Sequence, residues 1–166
     1  MATAGKIRSN SIGVYLSSVR GATTIDDTAT DDTYELVACA TSGSFSGSME
    51  VLDATTKDND GQREILTGGL SWTMTAEGMV QYDLLGSVTG SVDLFTIWSE
   101  KTQVRLAWTN AQSGDNMYYG NAYITSYEET AGLNEIASYS VTFEGDGSLT
   151  KAVVNTTNAT FQNNDD

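Results

Sequence analysis

The sequence predicts a mainly β fold: two packed antiparallel sheets, as a sandwich or barrel, with one flanking α-helix and long loops. Three observations carry that expectation. Apolar residues recur at every second position in short runs, the period of a half-buried strand. Between the runs lie many of the 16 glycines, 17 serines and 23 threonines, and proline is absent from all 166 residues. The turns must therefore rest on Gly, Asn and Asp. Only one stretch, around Phe95, changes to a helical period.

Ile12, Val14 and Leu16 alternate with small or polar neighbours and form the first strand. Arg20–Thr33 is polar, holds Asp26-Asp27 and Asp31-Asp32, and reads as a loop. Tyr34–Ala40 is a second strand, in which Cys39 is a small core residue. Phe45–Leu52 is a third, weakened by Gly47, and Asp53–Arg63 is a second polar loop. Leu70–Ala76 alternates most cleanly, with Leu70, Trp72, Met74 and Ala76 on one face and Gly78 as its end. A short helix is expected over Val80–Gly86 and the main one over Ser91–Lys101. In the latter, Leu94, Phe95, Ile97 and Trp98 share a face, Ser91 is the N-cap and Asp93 sits in the first turn. Strands resume at Val104–Thr109, Met117–Glu128 and Ile136–Glu144, with turns at 114–116 and at Gly145-Asp146-Gly147. That makes seven or eight strands. The organisation expected is an N-terminal arm over 1–11, a β domain over 12–150 and a flexible tail over 151–166, rich in Asn and Thr from Asn155 on.

Composition excludes whole classes of function. With no His there is no Ser-His-Asp relay and no imidazole metal site, and a single Cys gives neither an internal disulfide nor a Cys zinc site. Residues 1–16 lack the apolar stretch of a signal peptide, and no run is long enough to span a bilayer, so a reducing cytosol is the expected folding compartment. The net charge is −14, with 8 basic and 22 acidic residues, which argues against a general grip on nucleic-acid phosphates. The charge is uneven: residues 1–20 carry +3 through Lys6, Arg8 and Arg20, and the rest carries −17. A basic arm on an acidic body favours head-to-tail contact between copies.

Carboxylates are the plentiful reactive groups, but the adjacent pairs at 26–27, 31–32 and 128–129 lack the apolar surroundings a catalytic acid needs. Asp58-Asn59-Asp60-Gly61 resembles part of a calcium loop, yet alignment on Gly61 puts Thr56 and Thr67 where the first ligand and closing Glu belong. It reads as a turn, as does Gly145-Asp146-Gly147-Ser148. No catalytic residue, metal or cofactor is expected. Tyr118, Tyr119, Tyr123 and Tyr127 either pack in the core or line a sugar-stacking face, which leaves a carbohydrate-binding β-sandwich as an alternative. The two long loops, 20–33 and 53–64, invite a partner.

Three segments carry a resemblance to a known family: Ser91–Trp98 followed by Val104-Arg105-Leu106, Tyr118–Tyr127, and Asn134–Thr150. Thr55-Thr56-Lys57-Asp58 and Gly69-Leu70-Ser71-Trp72 extend it into the N-terminal half. In order and spacing they resemble the major tail tube proteins of bacteriophages with long non-contractile tails, the TP901-1-like group, over about residues 10–150. The acidic loop at 26–32 and the tail after Lys151 depart from that pattern. The resemblance implies a virion subunit with no catalytic role, assembled in the host bacterial cytoplasm. Six copies would form a ring, and rings would stack around a tape measure protein between distal tail and tail terminator proteins. DNA would pass through an acidic lumen without specific binding, and no membrane is involved. Inter-subunit contacts are expected at Thr55, Thr56, Lys57, Asp58, Asp60 and Arg63 of the long loop, and at Lys6, Arg8 and Arg20 of the basic segment. A tube protein of a contractile tail or secretion apparatus is the other reading of the same resemblance.

Overall fold

The computed structural model describes residues 12–17, 32–37, 40–55, 62–81, 90–154 and 159–162. In chain order its strands are β1 (Gly13–Ser17), β2 (Asp32–Leu36), β3 (Ala40–Asp53), β4 (Ile65–Met79), β5 (Val104–Thr109), β6 (Asn116–Thr130), β7 (Ser138–Gly145), β8 (Thr150–Val153) and β9 (Ala159–Gln162). Helix α1 (Ser91–Ser99) lies between β4 and β5. The strands hydrogen-bond in the order β3-β4-β7-β6-β5-β1-β2-β9, and β8 adds to β6.

The two packed sheets expected are two halves of one continuous sheet. β6 belongs to both: it pairs with β5 through Tyr118–Ala122 and with β7 through Ala122–Thr130. A register shift between Ile124 and Ser126 marks a bulge, which bends a strand and increases its twist. The halves fold onto each other around one core. Val14, Leu16 and Leu106 face Trp72, Met74, Val141 and Phe143, with Leu94 and Ile97 of α1 in the same cluster. A second cluster of Tyr15, Tyr34, Ala107, Met117 and Val154 covers the other side of β1 and β5. Burial on both faces explains why Val104–Thr109 is apolar without clean alternation. Arg105 is fully buried there, its Nε donating to Asn121 Oδ1 at 3.3 Å and its guanidinium 5.9 Å from the Tyr119 ring centre. A buried charge persists only with such partners.

Trp72 is a buried large side chain held by close contacts. Its Nε1 donates to the Gly147 carbonyl at 3.2 Å, and its ring fills the space where a Cβ on Gly145 or Gly120 would stand. These glycines serve close packing.

Several sequence expectations change. Two strands fall within the segment expected to be a tail: β8 pairs antiparallel with β6, and β9 pairs with β2 in the one parallel ladder among the described residues. Polar composition hid both, because edge strands gain their hydrogen bonds from a neighbour rather than from apolar patterning. The chain caps α1 with Gly90 instead of Ser91, whose hydroxyl donates to the Gln81 carbonyl; Asp93 Oδ2 accepts from the Gly90 amide at 3.2 Å. Gly78 does not end β4, which runs on to Met79. Val80 and Gln81 are not helical, and the rest of the expected short helix lies outside the described residues.

The hairpin β3–β4 is the largest departure. β4 pairs with β7 only from Thr73 to Met79, while β3 and β4 pair from Ala40/Gly78 all the way to Asp53/Ile65. Past the Ser46–Thr73 pair no third strand flanks the hairpin among the described residues, and beyond the buried Trp72 it continues as a two-stranded ribbon, about 23 Å long from Ser46 to Asp53 at ~3.3 Å per residue. At its outer end the Asp53 carboxylate accepts hydrogen bonds from the Thr55 amide (2.9 Å) and hydroxyl (2.6 Å), and Thr55 Oγ1 accepts from the Glu64 amide at 3.1 Å. Arg63 Nε lies 3.9 Å from Asp53 Oδ2.

Two outcomes test this description. Gly145→Ala should force the Trp72 ring to move and cost about 1–3 kcal/mol, as overpacking does; a urea midpoint equal to the parent's would contradict the fit. The Thr55 side-chain and backbone hydrogen bonds hold the Asp53 carboxyl below its ordinary value of 3.8. The charged form is thus favoured in the fold, and the turn's contribution is complete above 3.8 and is lost as pH falls through the lowered value. Carboxyl-carbon NMR should place the Asp53 midpoint below 3.8, and Thr55→Val should move it back up towards 3.8.

Candidate assembly surfaces

The four strands β3, β4, β7 and β6 have one face in the core and one outside, so the register dictates what the outer face presents. Across the strands its rows read Met79-Ser138-Thr130, Ser42-Glu77-Ser140-Glu128, Ser44-Thr75-Thr142-Ser126 and Ser46-Thr73-Glu144-Tyr123. Apart from the exposed Met79 and the Tyr123 ring, the face is hydroxyls and carboxylates, and no Lys or Arg stands in any row. Many hydroxyls are already engaged across strands: Ser44 with Thr75 at 2.7 Å, Ser48 with Ser71 at 2.8 Å, and Ser42 donating to Glu77 Oε2 at 3.1 Å. What remains is a hydrated, weakly interacting wall with Glu77, Glu128 and Glu144 as its charges.

The opposite face of the same strands is apolar, and it runs past the end of the core onto the ribbon. Phe45, Trp72 and Met74 pack inside. The next positions on that face, Met49, Leu70, Val51 and Ile65, are exposed, Leu70 by 81%. Leu52 and Leu66, paired with each other, are exposed on the ribbon's other side. An exposed contiguous apolar patch of this kind marks a contact surface.

A second apolar patch lies on α1 and the β6–β7 turn. At 100° per residue, Phe95 and Trp98 are rotated away from the buried Leu94 and Ile97, so the single apolar face expected of α1 is two faces. Val92, Phe95 and Trp98 stay exposed, Phe95 packs against Trp98 and Tyr127 with ring centres 5.8 Å apart in both pairs, and a shallow cleft is lined by Val92, Phe95, Tyr127 and Glu129. The Tyr127 hydroxyl donates to the Ser91 carbonyl at 3.1 Å, tying the helix to β6, and also contacts Glu129. Beside it, the β6–β7 turn exposes Leu133 (94%) and Ile136 (71%).

Of the residues expected to touch neighbouring copies, Thr55 and Arg63 lie at the outer end of the ribbon, where Thr55 orders the turn and Arg63 is largely exposed. Thr56, Lys57, Asp58, Asp60, Lys6, Arg8 and Arg20 lie outside the described residues. The four tyrosines do not form a sugar platform. Tyr118 stacks on Phe45 and Tyr127 packs against the main core, whereas Tyr119 joins the second cluster, so alternation and the bulge divide them between faces. The Ser-rich run at 42–48 signalled the hydroxyl wall; nothing in sequence spacing alone told the exposed pair Phe95 and Trp98 from the buried pair.

Known proteins bear on these surfaces. A family model described as phage tail tube protein matches residues 23–151. No curated protein matches the chain. Among solved structures it is similar to a chain in the tail of an empty gene transfer agent particle, refined helically with C6 symmetry. There the TM-score is 0.66 at 17% identity, covering 89% of this chain and 100% of that one. It is similar to the SPP1 tail tube, with a TM-score of 0.64 at 14% identity, covering 89% of this chain and 80% of that one. A chain of the anti-feeding prophage baseplate gives 0.59 at 9% identity, covering 93% and 99% respectively. These likenesses establish the fold. With most of its length matched by the family model, the chain belongs to the phage tail tube proteins, structural components of the virion tail rather than enzymes.

Proposed function

We propose that the chain is the repeating subunit of a tail tube whose copies close into hexameric rings, and whose stacked rings conduct DNA into the host through an acidic lumen. The observation that carries this reading is the outer face of β3-β4-β7-β6, a wall of hydroxyls and carboxylates without a cation. Phosphates sliding past such a wall meet no attractive site. With a Debye length of about 8 Å in the cell, the carboxylates act as a lining and not as a distant barrier.

Strand edges support ring closure. β3 pairs with β4 alone, and beyond Ala122 β6 pairs with β7 alone among the described residues, so the four-strand half has two open edges. The four strands alternate in direction. The β6 edge of one copy therefore meets the β3 edge of the next antiparallel, and a closed ring of copies leaves no edge exposed. The loop with Thr55–Arg63 and the basic segment with Lys6, Arg8 and Arg20 contact neighbouring copies in this reading. The tape measure, distal tail and tail terminator proteins are the other partners, assembly takes place in the host bacterial cytoplasm, and no membrane or cofactor takes part. The sequence resemblance favours a long non-contractile tail of the TP901-1-like type. A tube that works inside a contractile sheath is the second reading, and the fold shared with the anti-feeding prophage baseplate chain is compatible with it.

Negative-stain microscopy of the concentrated protein should show rings or hollow filaments; a persistent monomer would overturn the assembly reading. In a tube assembled from Glu77→Lys, Glu128→Lys, Glu144→Lys protein, the lining changes sign. Such tubes should retain short duplex DNA at low salt and release it at high salt, while unmodified tubes retain none. Equal retention by both would remove these residues from the lumen.

A further inference from the structure

We infer that the Asp146-Gly147 link is a site of spontaneous backbone isomerisation, and that the Gln103 side chain guards it by holding the Asp146 carboxylate away from the following amide. The site is independent of the tube reading.

An aspartate followed by glycine is chemically vulnerable, because glycine has no Cβ to shield its amide nitrogen. That nitrogen adds to the aspartate Cγ. The new N–Cγ bond closes a five-membered succinimide, and a carboxyl oxygen leaves as water, with one proton from the acid and one from the amide. Water then opens the ring. Cleavage of the new N–Cγ bond restores aspartate. Cleavage of the original bond, between the nitrogen and the main-chain carbonyl carbon, leaves isoaspartate, in which the chain runs through Cβ and Cγ. The chain has two Asp-Gly links. Asp60-Gly61 lies outside the described residues, and Asp146-Gly147 lies between β7 and β8.

At Asp146-Gly147 the amide is open and the carboxylate is tethered. Gly147 has φ +87°, and no atom lies within 4 Å of where its Cβ would stand. The Asp146 amide donates to the Asn121 carbonyl at 2.7 Å, and Asp146 Oδ2 accepts from Gln103 Nε2 at 2.7 Å. Gln103 is only 9% exposed, so its amide holds that oxygen from a fixed place. Ring closure must turn the Asp146 side chain onto the Gly147 nitrogen, against a hydrogen bond strengthened by the carboxylate charge.

The guarded link matters to the packing around it. Isoaspartate adds one carbon to the main chain between the Asp146 amide, held by Asn121, and the Gly147 carbonyl, which accepts from Trp72 Nε1 at 3.2 Å. The two hydrogen bonds cannot both keep their geometry, and β8 shifts against Asn116–Tyr119 of β6.

Peptide mapping by fragmentation that distinguishes isoaspartate from aspartate tests the guard. Over weeks at neutral pH, the folded chain should isomerise at 146 more slowly than the same chain in urea. Gln103→Leu and Gln103→Glu, each without the donor, should raise the folded rate about tenfold, the order that loss of one hydrogen bond to a charged group allows. Ile97→Val, which weakens the core without touching the turn, should leave the rate unchanged, and Asp146→Glu, which cannot close a five-membered ring, should show no isomer. Equal rates in the folded and unfolded parent overturn the proposal, as does a parental rate in the Gln103 variant that folds. An equal rise in Ile97→Val also overturns it, because general compactness would then be the protection.

Discussion

β6 is shared between the two halves of the sheet, and the rest of the architecture depends on that sharing. Its first half holds β5 and β8, its remainder holds β7, and the bulge near Ile124 bends it just beyond the junction of the two. A single bent sheet can fold onto itself only if one strand continues through the fold. Once it does, Val14 and Leu106 on one side meet Met74 and Phe143 on the other, and α1 closes the gap with Leu94 and Ile97. Arg105 and Asn121 sit beside this crossing, where a buried polar contact accompanies a fixed register.

The same strands carry two contrasting faces. Inward, they are packed to the point that glycine is required at 145 for the Trp72 ring to fit. Outward, cross-strand pairs such as Ser44–Thr75 satisfy hydroxyls locally, which lowers the reward for binding anything else there. A surface with no cation in its rows, and with Met79 and the Tyr123 ring as its exposed apolar groups, fits the proposed conduit, because passage calls for weak interaction with whatever moves through. The net charge of −14 reaches this face as three separated carboxylates, not as a block of like charge.

The apolar surface left exposed lies elsewhere. The ribbon carries the apolar face beyond the core, and α1 with the 131–137 turn presents a second exposed apolar surface. Asp53 and Thr55 stiffen the ribbon's outer end through local hydrogen bonds, which reduces the entropy lost when that end is ordered against a neighbour.

By itself the sequence determined that this is a β protein with one helix. Strict alternation at 70–76 and the helical period at 91–98 are local signals, written by which side of an element meets water. It also determined the absence of imidazole and thiol chemistry, and the family through the order of several motifs. Tertiary structure decided the rest, for reasons of distance. Whether Phe95 or Leu94 is buried depends on what lies across the helix. β8 and β9 became strands because edges of β6 and β2 were there to bond them, against their polar composition. The run Phe45–Leu52 reads as a strand in sequence, and only the ending of β7 opposite Thr73 makes its outer part a ribbon with no third strand beside it among the described residues. Periodicity reports the faces of one element; which neighbour covers each face is a property of the whole chain.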